Sequence, residues 1–572
     1  MIYKIKFVAF FLFFYASGNA QLSWLGAGKI VDPYHYAQTK SGTFTKAAVA
    51  TAHPLASAVG AVVMKEGGNA FDAAIAVQLA LAVVYPDAGN LGGGGFLLGR
   101  NKDGKNIAID FREKAPGLAT ANMYLDAAGN AQSELSENGH LSSGIPGTVA
   151  GLFATLPYAK LPFEKLIEPA IELAEYGFAI TEEQAEEFNY TKADFIKYNT
   201  SNVPFVKNAK WQVGDTLFQP ELAETLKRIQ KNGAKGFYEG KTAELIVAEM
   251  KRANGIISLE DLKTYEAKSR DVIQSNYRGY TIIGFPPPSS GGIIVSQMLT
   301  MIEPFPMKKY GYGTVESMHL MIEAERRAYA DRAEYMGDPD FWKVPQKTLL
   351  SKEYLTNRMK DFDPQKASVS TNIKAGIIHE SDQTTHISII DDEGNMVSIT
   401  TTLNNSYGSR TVVGGAGFIM NDEMDDFSMK PGVPNMYGAI GGAANAIAPG
   451  KRMLSSMAPT LVLKDGKPFV VLGTPGGTTI PTSVYQMIVD IIDFDMNATD
   501  AVNKPKFHHQ WQPDIVEIEK GFSPAVIKSL ESMGYKMQRD SEIGRSELIK
   551  VLANGKFETA ADKRGDDSVD GF

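Results

Sequence analysis

The chain has 572 residues, 44% of them hydrophobic, a formal net charge of −9 and no cysteine. The absence of cysteine excludes disulfides and every thiol or Cys–metal chemistry, and the acidic balance argues against nucleic acid, whose phosphates ask for a basic footprint. Stability must come from a large core, for which this length is ample and beyond the usual size of one domain.

Residues 1–20 read as a secretory signal: Lys4 and Lys6 ahead of the apolar run Phe7 to Tyr15, then Gly18-Asn19-Ala20 as a small-residue cleavage site. The run is too short to span a membrane. Removing this segment takes two lysines and no acid, moving the formal charge from −9 to −11. Ala73 to Tyr85, apolar but interrupted by Gln78, reads as a buried core helix, opened by Gly67-Gly68-Asn69 and followed by the glycines 92–95. Amphipathic helices are expected over Glu221–Lys231 and Lys241–Arg252, and a long one through Met318, Met321, Ile322 and Tyr329. Ser258-Leu259-Glu260-Asp261 has the form of a capping box. Pro286 to Gly292 is a stiff loop. Residues 360–383 lack an apolar period and read as an exposed, mobile linker. No short-period repeat is visible, which argues against a solenoid.

From Gln383 the pattern turns to strands. Thr384-Thr385-His386-Ile387-Ser388 alternates, Asp392-Glu393-Gly394-Asn395 signals a turn, and Val397 to Asn404 returns. A second hairpin is expected around Asp465-Gly466, then Thr474-Pro475-Gly476-Gly477 and a helix over Thr479–Ile492. A helix-rich first part, a linker and a strand-rich second part predict an α/β layered sandwich.

Thr384 is the candidate nucleophile. A threonine hydroxyl needs a base, and a threonine at a chain N-terminus carries its own in the α-amine, which here requires a cut between Gln383 and Thr384. With a three-residue hairpin loop, Asp391 opposes Asn395 and Thr384 opposes Thr402, with Asn404 extending that face beyond the strand's end. A two-residue loop would pair Thr384 with Leu403 instead. Plain β-propensity also accounts for such a threonine run. Gly476-Gly477 before a helix offers amide donors for an oxyanion, or a phosphate cradle, although no Gly-Lys-Ser/Thr accompanies it. There is no Gly-x-Ser-x-Gly elbow. His508-His509 lack a spaced set of metal-ligating partners and read as packing or hydrogen-bonding residues. Glu423-Met424-Asp425-Asp426 fits a cation or glycosidase carboxylate pair, or a solvated acidic turn.

Together these motifs resemble the γ-glutamyltransferase (γ-glutamyl transpeptidase) family of N-terminal nucleophile hydrolases, over essentially the whole mature chain. The residues that carry the resemblance are Thr384-Thr385-His386, Asn421 to Ser428, Lys430 to Asn435 with Tyr437, Leu454-Ser455-Ser456-Met457, Thr474 to Gly477, Asp110-Phe111-Arg112-Glu113 and Gly144 to Thr148. The resemblance implies a four-layer αββα fold and autocleavage at Gln383–Thr384. The products are a large subunit, 21–383, and a small one, 384–572, which stay associated in one core. It implies Thr384 as nucleophile, oriented by Thr402, and the Gly476 and Gly477 amides as oxyanion hole. Arg112, with Ser455 and Ser456, is expected on the α-carboxylate of a γ-glutamyl donor; Glu423, Asp426 and Asn404 are expected on its ammonium, with Tyr437 in a lid loop. The implied activity is γ-glutamyl transfer to amino acids, peptides or water from glutathione-like donors. No metal or organic cofactor is expected, and the location is periplasmic or secreted. Two departures are visible, Asp562-Lys563-Arg564 in place of an Asp-Pro near the C-terminus and Asn405-Ser406-Tyr407 after Asn404, the second expected to tune acceptor preference. The alternatives are a related cephalosporin or glutaryl acylase on the same fold, and an unprocessed exported binding protein.

Overall fold

The computed structural model describes residues 31–201, 203–373, 383–429 and 442–572, with the backbone alone for Gln383. Two seven-stranded sheets, antiparallel throughout, lie face to face. The first has the order Ser568–Gly571, Ala47–Thr51, Gln383–Asp391, Met396–Asn404, Gly94–Arg100, Asn106–Asp110, Lys268–Arg270. The second runs Ser41–Phe44, Phe557–Ala561, Glu547–Val551, Lys467–Gly473, Thr460–Lys464, Tyr280–Gly284, Ile273–Tyr277.

Period-two alternation assigns the two faces of the first sheet. Ile387, Ile389, Val397, Ile399 and Leu97 share one core with the helices Pro54–Lys65 and Ala70–Val84. Ile390, Met396, Phe96 and Leu98 share the other with the second sheet and the helices Gly291–Ile302, Val315–Tyr335 and Thr479–Ile492. The result is the expected four-layer αββα sandwich, its layers held by two separate apolar cores. Ala70–Val84 is buried along its whole length, and its start is fixed by Asn69 and Asp72 in a capping box. This accounts for an apolar run with no polar face.

Both hairpins form as the turn residues predict. Asp465 and Gly466 both have positive φ, 51° and 75°, as a two-residue primed turn requires. Gly394 (φ 88°) closes the three-residue loop, with Asp391 N–H donating to the Asn395 carbonyl at 3.2 Å. The helix Thr479–Ile492 and the Ser258 capping box also form.

The mobile linker expected over 360–383 is not what residues 360–373 form. Ala367 N–H donates to the Met533 carbonyl at 2.9 Å and Ser370 N–H to Asp514 Oδ2 at 2.8 Å. Trp511 Nε1 donates to the carbonyls of Ser370 (2.9 Å) and Ile373 (3.0 Å). The Trp511 and Asp514 side chains and the Met533 carbonyl hold this stretch, so it needs no apolar period. The remaining linker positions, 374–382, lie outside the described residues.

Candidate active site

Strand parity places the reactive end of Gln383–Asp391. His386, Ser388, Ser398 and Thr400 project between the two sheets, where His386 Nδ1 meets Thr400 Oγ1 at 3.0 Å and its Nε2 meets Ser388 Oγ at 3.1 Å. Ser398 Oγ donates across the gap to the Leu472 carbonyl (3.1 Å). The opposing strand passes so close that a Cβ on Gly473 would lie 2.2 Å from the His386 ring. Thr384 lies two residues before His386, and Gly476-Gly477 three and four after Gly473. The candidate nucleophile and the glycine pair therefore leave the sandwich at the same end.

Burial holds His386 neutral, its pKa lowered to about 3. In the unfolded chain the ring protonates near its ordinary 6.5. The unfolded state therefore binds more protons below that value, and stability present above pH 6.5 is lost as pH falls towards 3. Thermal midpoints of His386→Gln and the parent at pH 7 and pH 5 check this: the parent should lose more on acidification, and equal losses would refute it.

The register count holds from Ile390↔Met396 to Thr385↔Thr401, then breaks. Gln383 pairs with Asn404, so Thr384 faces both Thr402 and Leu403 across a β-bulge. Asn404 thus lies opposite Gln383 rather than beyond the strand's end. A bulge re-aims side chains and is common beside active sites. Thr384 is 5% and Thr402 3% exposed. Thr402 Oγ1 accepts from Asn404 N–H at 2.7 Å, fixing the turn where Asn404 takes φ 84°.

Behind Thr402 stands Asn90, which the sequence reading passed over. Its Nδ2 donates to the Thr402 carbonyl at 2.9 Å and its Oδ1 accepts from Gly93 N–H at 3.1 Å. The only sequence signal was an asparagine just ahead of the glycines. Those glycines are required sterically: a Cβ on Gly93 would lie 2.1 Å from the Thr402 carbonyl oxygen.

Gly476 and Gly477 take φ values of 127° and 53°. A Cβ on Gly476 would fall 2.5 Å from Thr479 Oγ1. Their carbonyls accept from Thr479 N–H (2.9 Å) and Ile480 N–H (3.1 Å) as the helix begins. Among the described residues the two glycine N–H groups donate to no protein acceptor. Two unspent donors at a helix N-terminus form a ready oxyanion cradle.

Arg112 follows the end of Asn106–Asp110 and is 1% exposed. Asp110 Oδ1 accepts its N–H at 3.1 Å and Tyr265 donates to its carbonyl at 2.7 Å. Glu423–Asp426 is a single 3-10 turn, in which positions i and i+3 eclipse. That brings both end carboxylates onto Arg112, with Glu423 Oε2 at 2.6 Å from Nη1 and Asp426 Oδ2 on Nη2. Arg112 and the two acids, expected on the adjacent α-carboxylate and α-ammonium of a donor, here meet one another in one ion cluster. Glu113 Oε2 joins it at 3.7 Å. Burial pushes Glu113 up to about 8 and Glu423 well above its usual range, against the downward pull of Arg112.

Arg112 also donates to the carbonyls of Met453 (3.5 Å) and Leu454 (3.3 Å), which brings Ser455 and Ser456 alongside. Ser455 is held by the Pro286–Gly292 loop, donating its N–H to the Pro288 carbonyl (2.9 Å) and accepting from Ser290 N–H (2.7 Å). Ser456 Oγ is buried and has no hydrogen-bond partner among the described residues. His508 and His509 bond to Thr482 (2.9 Å) and Asp514 (3.2 Å), as hydrogen-bonding residues in the core. The Tyr407 ring packs among Phe188, Phe195 and Phe205. Tyr437, the side chain of Gln383 and residues 1–20 lie outside the described residues.

The family model for gamma-glutamyltranspeptidase matches residues 56–572. The chain is 47% identical over 543 residues to a glutathione hydrolase proenzyme of Escherichia coli (strain K12), covering 94% of this chain and 93% of that one. Its structure is similar to a cephalosporin acylase from Bacillus halodurans, with TM-score 0.83, 27% identity and coverage of 95% and 99%. It is also similar to a Helicobacter pylori gamma-glutamyltranspeptidase, with TM-score 0.56, 46% identity and coverage of 60% and 97%.

Proposed function

The chain belongs to the gamma-glutamyltranspeptidase family, and from that premise we propose that it is a self-processing γ-glutamyltransferase and glutathione hydrolase. The observation that carries the reading is the convergence at one end of the sandwich. Thr384 sits at a bulge, two unspent glycine amides leave the facing strand, and a buried Arg112–Glu423–Asp426 cluster lies nearby in the fold.

In processing, Thr384 Oγ adds to the Gln383 carbonyl carbon. The C–N bond breaks, the nitrogen takes the hydroxyl proton, and the acyl group is left as an ester on Oγ. Water then hydrolyses the ester, releasing the 21–383 subunit's carboxylate and restoring the Thr384 hydroxyl beside the α-amine that the shift freed. That amine, with a reference pKa of about 7.7–8.0, is a suitable base near neutral pH. In turnover it takes the Oγ proton as Oγ attacks the γ-glutamyl carbonyl, and passes it to the departing amine. Thr402 orients Oγ, and the Gly476 and Gly477 N–H groups meet the oxyanion. Water or an amino-acid or peptide amine resolves the γ-glutamyl ester.

Donor binding is an exchange of ionic partners. The donor α-carboxylate takes the Arg112 hydrogens, aided by Ser455 and Ser456, while its ammonium takes Glu423, Asp426 and Asn404. Each buried charge keeps a partner throughout, as burial demands. This acid set also separates the reading from an acylase on the same fold, whose glutaryl-type donors bring no ammonium. Export, which the secretory-signal pattern of residues 1–20 supports, completes the proposal.

Two measurements test it. On a denaturing gel the 62.2 kDa chain should resolve into two fragments that begin at residue 21 or before, and at Thr384. Incubation with a γ-glutamyl anilide should release glutamate, and added dipeptide should divert product to a γ-glutamyl peptide. A persistent single band with no anilide cleavage refutes the proposal.

A further inference from the structure

The turn that follows Asn404 is held unusually firmly. Asn404 and Tyr407 take positive φ values of 84° and 59°; asparagine tolerates that region, and tyrosine needs support to stay there. Tyr407 N–H donates to the Asp87 carbonyl at 2.8 Å, and its hydroxyl donates to Glu187 Oε2 at 2.9 Å. Between these pins the turn grips the acidic segment. Asn405 N–H donates to Asp422 Oδ1 at 3.0 Å and Asn405 Nδ2 to Asp422 Oδ2 at 2.6 Å. Asp422 N–H returns a bond to the Leu403 carbonyl at 2.9 Å, and Asn404 Nδ2 donates to the Asp422 carbonyl at 3.1 Å. Four bonds therefore join residues 403–405 to one aspartate, and that aspartate directly precedes Glu423. Asn405 is 6% exposed and Asp422 fully buried.

Asn404 and Glu423 come from segments 19 positions apart in the chain, and both are assigned to the donor ammonium in the proposed function on which this inference rests. We propose that Asn405 and Asp422 are positioning residues that set the spacing between Asn404 and Glu423, and so make the site select acyl donors carrying an α-ammonium. Neither side chain need touch the donor. Their two-point contact fixes the relative position of the groups that do, and a ligand is discriminated best when such groups are locked by their neighbours.

The experiment compares L-glutamate with glutarate, which has the same carbon chain and no ammonium, as competitive inhibitors of the processed enzyme. In Asn405→Ala the inhibition constant for L-glutamate should rise about tenfold, the scale of one lost positioned hydrogen bond. That for glutarate should stay within about twofold. The KM for γ-glutamyl anilide should rise in step, with kcat changed less than about threefold. The exchanged double variant N405D/D422N, which restores a side-chain bond between the two positions, should recover most of the discrimination. Equal weakening of both inhibitors would mean a merely structural contact and overturn the proposal, as would no change in either. If Asn405→Ala does not accumulate folded, Asn405→Ser carries the same comparison. Failure of the functional reading looks different: the parent enzyme would then leave γ-glutamyl anilide uncleaved, or bind glutarate as tightly as glutamate.

Discussion

Thr384→Ala is expected to remain a single uncut band, of 62.2 kDa or slightly less once the signal is removed, and to show no γ-glutamyl anilide hydrolysis, a loss of at least about 10⁴-fold. One substitution removes two activities because the same oxygen performs both. It first attacks the carbonyl of residue 383, and only then, with the α-amine that this cut creates, attacks a donor. The surrounding structure should survive: Thr384 lies at a bulge, where its neighbours pair without it. Thr384→Ser should process and turn over more slowly, since a hydroxyl is kept but the methyl that limits its rotation is lost. The test is a time course on denaturing gels beside an anilide assay. Cleavage of the alanine variant at the same bond would show that the nucleophile lies elsewhere.

Arg112→Gln is expected to raise the donor KM by about 10–100-fold and to lower thermal stability. Two effects combine. A charge-assisted contact to the donor carboxylate, worth about 1.5–3 kcal/mol, is lost. Removing Arg112 from a buried set containing Glu423, Asp426 and Glu113 also leaves carboxylates without that partner, a change that costs about 3–5 kcal/mol in buried pairs. Those acids will respond by binding protons, so the stability deficit should be smallest at acid pH, where they are neutral. Arg112→Lys should recover little, because one ammonium cannot serve the acids that Nη1 and Nη2 meet separately. Steady-state kinetics and melting curves across pH check both parts; an unchanged KM would remove Arg112 from the donor site.

Local chemistry was legible in the sequence, and long-range contacts were not. Turn residues with few conformational options, Asp465-Gly466 and Gly394, set both hairpins and hence the Thr384–Thr402 neighbourhood. The bulge at Thr384 left no trace, because a one-residue irregularity changes neither composition nor alternation. The Arg112–Glu423–Asp426 cluster joins positions more than 300 residues apart, so the charge types were visible and their contact was not. Asn90 and the Asn405–Asp422 pair read as ordinary polar residues, since what marks them is only what they touch. The linker reading failed over 360–373 for a related reason. Hydrophobic periodicity detects segments held by apolar burial, and this one is held by Trp511, Asp514 and Arg326 through hydrogen bonds.

The strand order of the two sheets has a consequence for a chain cut before Thr384. In the first sheet, Ala47–Thr51 lies between Ser568–Gly571 and Gln383–Asp391; in the second, strands 41–44 and 280–284 flank a block drawn from 460–561. The two products are woven together, each completing the other's hydrogen-bond ladders. The cut enzyme is therefore a nicked single body rather than a dimer in equilibrium with its halves. Its activity should be indifferent to dilution, and neither half offers a folded partner for the other to find.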